Sequence, residues 1–212
     1  MNDLIAELER ARRSVGSETS PDGHVHVVEL RRSYEAPPAD VWDACTNPER
    51  IPRWFLPVSG DLRPGGRFQL QGNAGGEITE CEPPRRLAVT WEFGGKSSLV
   101  TLDLAPAGDA ATELLLRHSV ADDDHWATYG PGAVGVGWDL ALLGLELHLR
   151  SGGSPDDPAA FGASPEAREL MRRSAARWGA AHAAAGVHRA AAEEAAARTS
   201  AAYAPDPVDA PG

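Results

Sequence analysis

The residues of this chain whose types could do chemistry are few and mostly dispersed. Gly130, Gly132 and Gly135 satisfy G-x-G-x-x-G ahead of an apolar run, the pattern of a phosphate cradle at a helix start. The stretch before them, Ala121 to Tyr129, is polar rather than a strand, and no later strand supplies an acid for a ribose. Their better reading, shared with Gly137 and Gly144, is that they let a loop and a neighbouring backbone approach closely. His24 and His26 lie on one side of an extended segment, with His118 and His125 elsewhere, but no His-x-x-x-His or Cys pair accompanies them, so no metal is expected. Asp122, Asp123 and Asp124 are consecutive and cannot converge on one cation; they read as a solvated loop with a helix-capping acid. The sequence has no G-x-S-x-G elbow, and Glu80 and Glu92 face water by strand alternation, so no catalytic residue and no cofactor is assigned. What stands out instead is six tryptophans in 212 residues.

The elements that position these residues follow from periodicity. Leu4, Ile5, Leu8 and Val15 recur at helical spacing behind Asn2 or Asp3 as cap, with Glu7, Arg10 and Arg13 facing water, and 16 to 23 reads as a linker. Strand-like alternation from His26 ends before Pro37-Pro38, which opens a helix at 38 to 45 with Val41, Trp42 and Cys45 as its buried stripe. A short irregular helix follows to Trp54. Five further strands are predicted at 67–71, 76–81, 86–93, 99–104 and 113–119, separated by Gly-, Asn- and Pro-rich turns short enough for antiparallel neighbours. Alternation gathers Phe68, Leu70, Leu87, Val89, Trp91, Phe93, Leu102, Leu104, Leu114, Leu116 and His118 on one face.

A long helix over 133 to 150 is predicted to cover that face with Val134, Trp138, Ala141, Leu142, Leu145 and Leu149. Its polar stripe is narrow (Asp139, Glu146, Arg150), and a second apolar arc of Val136, Leu140, Leu143 and Leu147 needs another cover. Two covers are open: the stripe Leu170, Met171 and Trp178 on a helix capped at Ser164-Pro165-Glu166, or a second copy of the chain in a homodimer through the long helix. Residues 151 to 160 read as a linker, Gly186 divides the C-terminal helix from a polar alanine-rich one, and 204 to 212 should be disordered. The expected organisation is therefore 1–24, helix and linker; 25–152, the main domain; 153–203, a helical extension; 204–212, a tail.

A net charge of -11 with Lys96 as the lone lysine provides no basic stripe, which excludes nucleic acid and anionic membranes as partners. The N-terminal stretch has no export pattern and Cys45 and Cys81 form no CxxC, so a reducing, cytoplasmic setting is expected. Ala- and Arg-rich usage reads as a high-GC coding bias, at home in bacteria.

The stretch Tyr34 to Trp54, Gly65 to Phe68, Glu80 to Leu87, Thr90-Trp91-Glu92, Leu114 to His118 and Gly137-Trp138 together resemble the START-like (SRPBCC, Bet v 1-like) superfamily, in its Hsp90-ATPase-activator-homologue (AHSA1-like) branch. The resemblance implies an α+β helix-grip fold, a curved antiparallel sheet of six or seven strands closed by two small helices and gripped by a long helix. It also implies a cavity, on the order of 300 to 1,000 Å³ for ligand sites generally. On this resemblance Phe68, Trp91, Leu102, His118 and Trp138 line the pocket and Trp54 guards its entrance, making the chain a non-catalytic binder of an apolar small molecule. His118 is open to a second reading as a core histidine with its hydrogen bonds satisfied. The superfamily implies two alternatives, a co-chaperone-like protein-interaction module and an aromatase- or cyclase-like enzyme. The first lacks a counterpart to the co-chaperones' N-terminal domain in the 24 residues before the first predicted strand. The second lacks identifiable polar pocket groups.

Overall fold

The structure, a computed structural model, describes residues 2–20, 23–108, 110–151, 161–162 and 164–205. Helix α1 (Asn2–Glu9) leads into strands β1 (Arg12–Ser20) and β2 (Gly23–Tyr34). Helix α2 (Pro38–Thr46), with proline in its first turn, and a 3₁₀ turn (Ile51–Arg53) follow. Strands β3 (Val58–Gly60), β4 (Arg67–Leu70), β5 (Gly75–Glu82), β6 (Arg86–Phe93), β7 (Lys96–Pro106) and β8 (Thr112–Ala121) complete one antiparallel sheet in the order β1-β2-β8-β7-β6-β5-β4-β3. Gly94 and Gly95, both at positive φ, make the two-residue β6–β7 hairpin, because a turn matching the twist of the strands needs left-handed backbone at both positions. Then come α3 (Asp124–Tyr129), the long α4 (Gly132–Ser151), α5 (Pro165–Ala184) and α6 (Arg189–Tyr203).

The sheet has eight strands rather than six or seven, and β1 is the main correction. Residues expected to continue a helix to Val15 and then form a linker instead pair with β2 from Arg12 to Ser20. The segment RRSVGSETS carries Val15 as its only large apolar residue, so no periodicity marks it; backbone pairing to β2 needs none. Its charged and hydroxyl side chains suit an edge position, where they discourage further strand addition. The linker expected at 151 to 160 lies outside the described residues beyond Ser151, as does the tail beyond Pro205.

Helix α4 has the length and composition of a membrane span, but most of it is buried within the chain. Leu142 and Leu145 share a core with Leu30, Leu114 and Leu116 of the sheet. Three of the four residues of the second arc are covered within the chain, Val136 by Ala175 and Trp178 of α5 and Leu143 and Leu140 by Leu8 of α1 and Leu170 of α5, while Leu147 is partly buried. The two acids of the polar stripe of α4 are buried too, Asp139 and Glu146 being only 2% and 5% exposed, while Arg150 stays exposed. Arg13, expected in water, forks onto Asp139 through Nε (2.9 Å) and Nη2 (2.8 Å), and Asp139 also accepts from Ser174 and from Trp178 Nε1 (3.0 Å). Glu7, likewise expected in water, is buried against Arg32 (2.9 Å) and Arg150 (2.9 Å). Only Arg10 of the three keeps its side chain in solvent. Both terminal segments are thus tied to the same helix by buried, hydrogen-bonded charges.

Candidate functional site

The sheet and α4 diverge at the end where α2 and the 3₁₀ turn pack, leaving an apolar cavity of about 140 Å³. Strand alternation brings Phe68 of β4, Trp91 of β6 and Leu102 of β7 to its wall, and α4 adds Trp138. Trp54 joins them from the end of the 3₁₀ turn, where its indole N–H donates to the Ala44 carbonyl (2.9 Å). Arg50 holds that turn against α2 by bonds to Asp40 (2.6 Å) and Asp43 (2.9 Å). The aromatic rings form a continuous wall: Phe68 and Trp91 are 6.2 Å apart between centroids, Trp91 and Trp138 4.9 Å, and Phe55 lies 6.2 Å from Trp138. Phe55 was not singled out from sequence, although its place beside Trp54, in a turn predicted to close the cavity, was the available signal. The volume falls short of the 300 to 1,000 Å³ expectation because these rings occupy much of the space between helix and sheet. Cys45 lies in the wall, its thiol pushed up to about 12 by burial and so held protonated, a poor nucleophile.

The structure brings together five of the six expected lining residues; His118 is placed apart, behind Trp91 and Trp138. Trp138 Nε1–H donates to His118 Nδ1 (3.0 Å), so the neutral ring carries its proton on Nε2 and donates to Ser98 Oγ (2.9 Å). Ser98 in turn donates to the Trp91 carbonyl (3.1 Å). Both His118 nitrogens are thus engaged, and the Ser98 hydroxyl proton points to a carbonyl rather than to the imidazole lone pair, so Ser98 and His118 do not form a nucleophile and general base. Burial pushes the His118 pKa down to about 4 from an ordinary 6.5. Between those values the unfolded chain binds a proton that the folded chain refuses, so acidification through pH 6.5 toward 4 costs stability, up to ~3 kcal/mol. Urea unfolding at stepped pH should show this slope in the native chain and a shallower one in His118→Gln, what remains coming in part from His182, whose pKa burial also lowers; equal slopes in both would refute the assignment.

The other sequence candidates have structural occupations. An ideal Cβ on Gly135 would stand 2.3 Å from Trp178, one on Gly132 2.8 Å from Thr199, and one on Gly130 3.0 Å from His182. The glycine triplet is therefore a seat for α5 and α6, with no room left for a phosphate. Gly144 similarly admits the Trp54 carbonyl, 2.7 Å from an ideal Cβ. Asp123 caps α3 by accepting from Trp126 N–H (2.9 Å). His26 stacks on Trp126 (4.0 Å) and bonds Asp122 (3.0 Å), and Glu80 and Glu92 pair with Arg86 and Arg67 at the surface. Among the described residues no group of acids, histidines and cysteines has the arrangement of a metal site.

Comparison with known proteins agrees with this architecture. Residues 35–150 match the family described as Activator of Hsp90 ATPase homolog 1-like protein. CalU16 from Micromonospora echinospora is similar in its crystal structure (38% identity over 81% of this chain and 97% of that one, TM-score 0.67). Its solution structure gives 39% identity over 83% and 97%, with a TM-score of 0.70. DynU16, a protein in the dynemicin biosynthetic locus, is 25% identical over 60% of this chain and 48% of its own, with a TM-score of 0.53. No curated protein matches the chain. With more than half its length matched by the family and a solved relative 38% identical along nearly all of that relative's length, the chain belongs to the Activator of Hsp90 ATPase homolog 1-like (AHSA1-like) family of the START-like, Bet v 1-like superfamily.

Proposed function

We propose that this chain binds an apolar, aromatic small molecule in the cavity between α4 and the sheet, without transforming it. The observation that carries this reading is the wall itself: aromatic rings from three separate elements, Trp54, Trp91 and Trp138, surround space that the core leaves unfilled. Large aromatic faces of this kind favour offset stacking with a planar guest. The polar groups in the wall, the Cys45 thiol and the Thr46 hydroxyl, are poorly suited to acid–base chemistry, which weighs against the cyclase-like alternative. DynU16 belongs to a biosynthetic locus, and that association supports a small-molecule role over a co-chaperone one. The co-chaperone alternative rests on the description of the family. A cytoplasmic setting remains part of the proposal.

Native mass spectrometry of freshly purified protein, followed by a panel of fatty acids, sterols, flavonoids and polyketide-like aromatics, tests the reading. Aromatic members should quench tryptophan fluorescence and raise the melting temperature, by about 2.7 kcal/mol of added stability at a ligand concentration 100 times Kd. Val100→Phe, which grows into the cavity from a buried wall position, should abolish both responses while the protein stays folded. A panel without effect on the native chain sinks the binding reading.

A further inference from the structure

Trp91 borders more than the inner cavity. It also lines an open pocket of about 310 Å³ between the β6–β7 hairpin, the end of β8 and the start of α4, with Phe93, Ser97, Ser98, His118 and Val134. The inner cavity is close in size to an engineered apolar cavity of about 150 Å³ that holds one benzene. Alone it takes a single ring; the two volumes together enter the range of drug-sized ligand sites, on the order of 300 to 1,000 Å³. What divides them is the Trp91–Trp138 contact, tilted at 57° with centroids 4.9 Å apart. The two rings are not held alike. Trp138 is tied to His118, whereas the Trp91 indole N–H has no acceptor among the described residues, unlike those of Trp54, Trp138 and Trp178. Trp91 is only half-buried, with unfilled space bordering it in both compartments, so its ring has room to turn. At the outer rim Phe93 is 60% exposed beside Lys96, Ser97 and Asp123, a mixed apolar and polar mouth.

From this geometry we infer that the two pockets are one site, with Trp91 as a movable partition, and that its ligand is an elongated, planar polycycle bearing oxygen acceptors. One terminal ring occupies the inner cavity. The remaining rings pass Trp91 into the outer pocket, where an oxygen accepts from the Trp91 N–H and polar substituents meet Ser97 and the hairpin rim. This rests on the proposed binding function and narrows its ligand class.

Isothermal titration of the full chain with phenol, 2-naphthol and 2-hydroxyanthracene tests it. Affinity should rise with length, by about tenfold or more from one ring to three. Ser97→Trp, which fills the outer pocket from an exposed position, should weaken 2-hydroxyanthracene about tenfold more than it weakens phenol. If that variant fails to fold, Val134→Phe fills the same pocket from α4. Affinity that is flat or falls with length, or an outer filling that affects all three probes alike, overturns the single-site inference while leaving a one-ring binder standing. Failure of all three probes to bind removes the binding function and this inference with it.

Discussion

Asp139→Ala is expected to lower the free energy of unfolding by about 3 to 5 kcal/mol, the range for removing one partner of a buried ion pair. The Arg13 side chain is 5% exposed, and its guanidinium otherwise reaches only the Leu8 and Ala11 carbonyls at the end of α1 (2.8 and 2.9 Å). Without Asp139 it becomes a buried cation facing neutral oxygens, and the Ser174 hydroxyl and Trp178 N–H lose their acceptor as well. Urea unfolding of native and variant chains measures the loss. The double replacement Arg13→Met with Asp139→Leu separates the causes: if the orphaned charge dominates, removing both partners should recover most of the stability. A single variant less than about 1 kcal/mol destabilised would show that water reaches Arg13 and that the pair is not buried as described.

Ending the chain after Ser151 should have an effect of similar or greater size, because it removes α5 and α6. Leu170 and Trp178 are fully buried against α1 and α4, and each large apolar side chain so buried contributes roughly 1.5 to 3 kcal/mol. The expected product is a chain with a much lower melting temperature that aggregates through Val136 and Leu143. A stable dimer of the shortened chain would mean that a second copy can replace α5. A monomer as stable as the native chain would contradict the docking outright. Gly135→Leu asks the same question in the full-length chain, since its side chain must displace the Trp178 ring.

The apolar half of this design was readable in the sequence and the ionic half was not. Alternation at Phe68, Leu87, Val89, Trp91 and Leu102 marked the cavity face because small or polar residues such as Ala88, Thr90 and Thr101 interrupt it at every second position. The two apolar arcs of α4 were visible by helical spacing, as was the candidate cover on α5. Asp139 and Glu7 carry no such mark: an acid on a helix reads as solvent-facing until its partner is known, and Arg13 lies 126 residues from Asp139. Strand β1 was hidden for a related reason, since its pairing is made by backbone and its side chains describe an edge. His118 was legible as inward-facing, but its hydrogen bonds to Trp138 and Ser98, which turn it away from the inner cavity, depend on atoms brought together only by the fold.

The clasp of both terminal segments on α4 also sets an order of events during synthesis. Glu7 meets Arg32 within 25 residues, but Arg13 must wait for Asp139, 126 residues later, so its charge cannot be neutralised by its final partner until most of the chain has left the ribosome. Strand β2, to which β1 pairs, meanwhile lacks its other neighbour β8 until residue 121 is out. Contacts so distant along the chain must overcome loop-closure entropy before they reward it, which slows folding. The emerging chain therefore has little reason to fold in pieces: its α1 and β1 remain open to chaperones and proteases until α4 arrives to receive them.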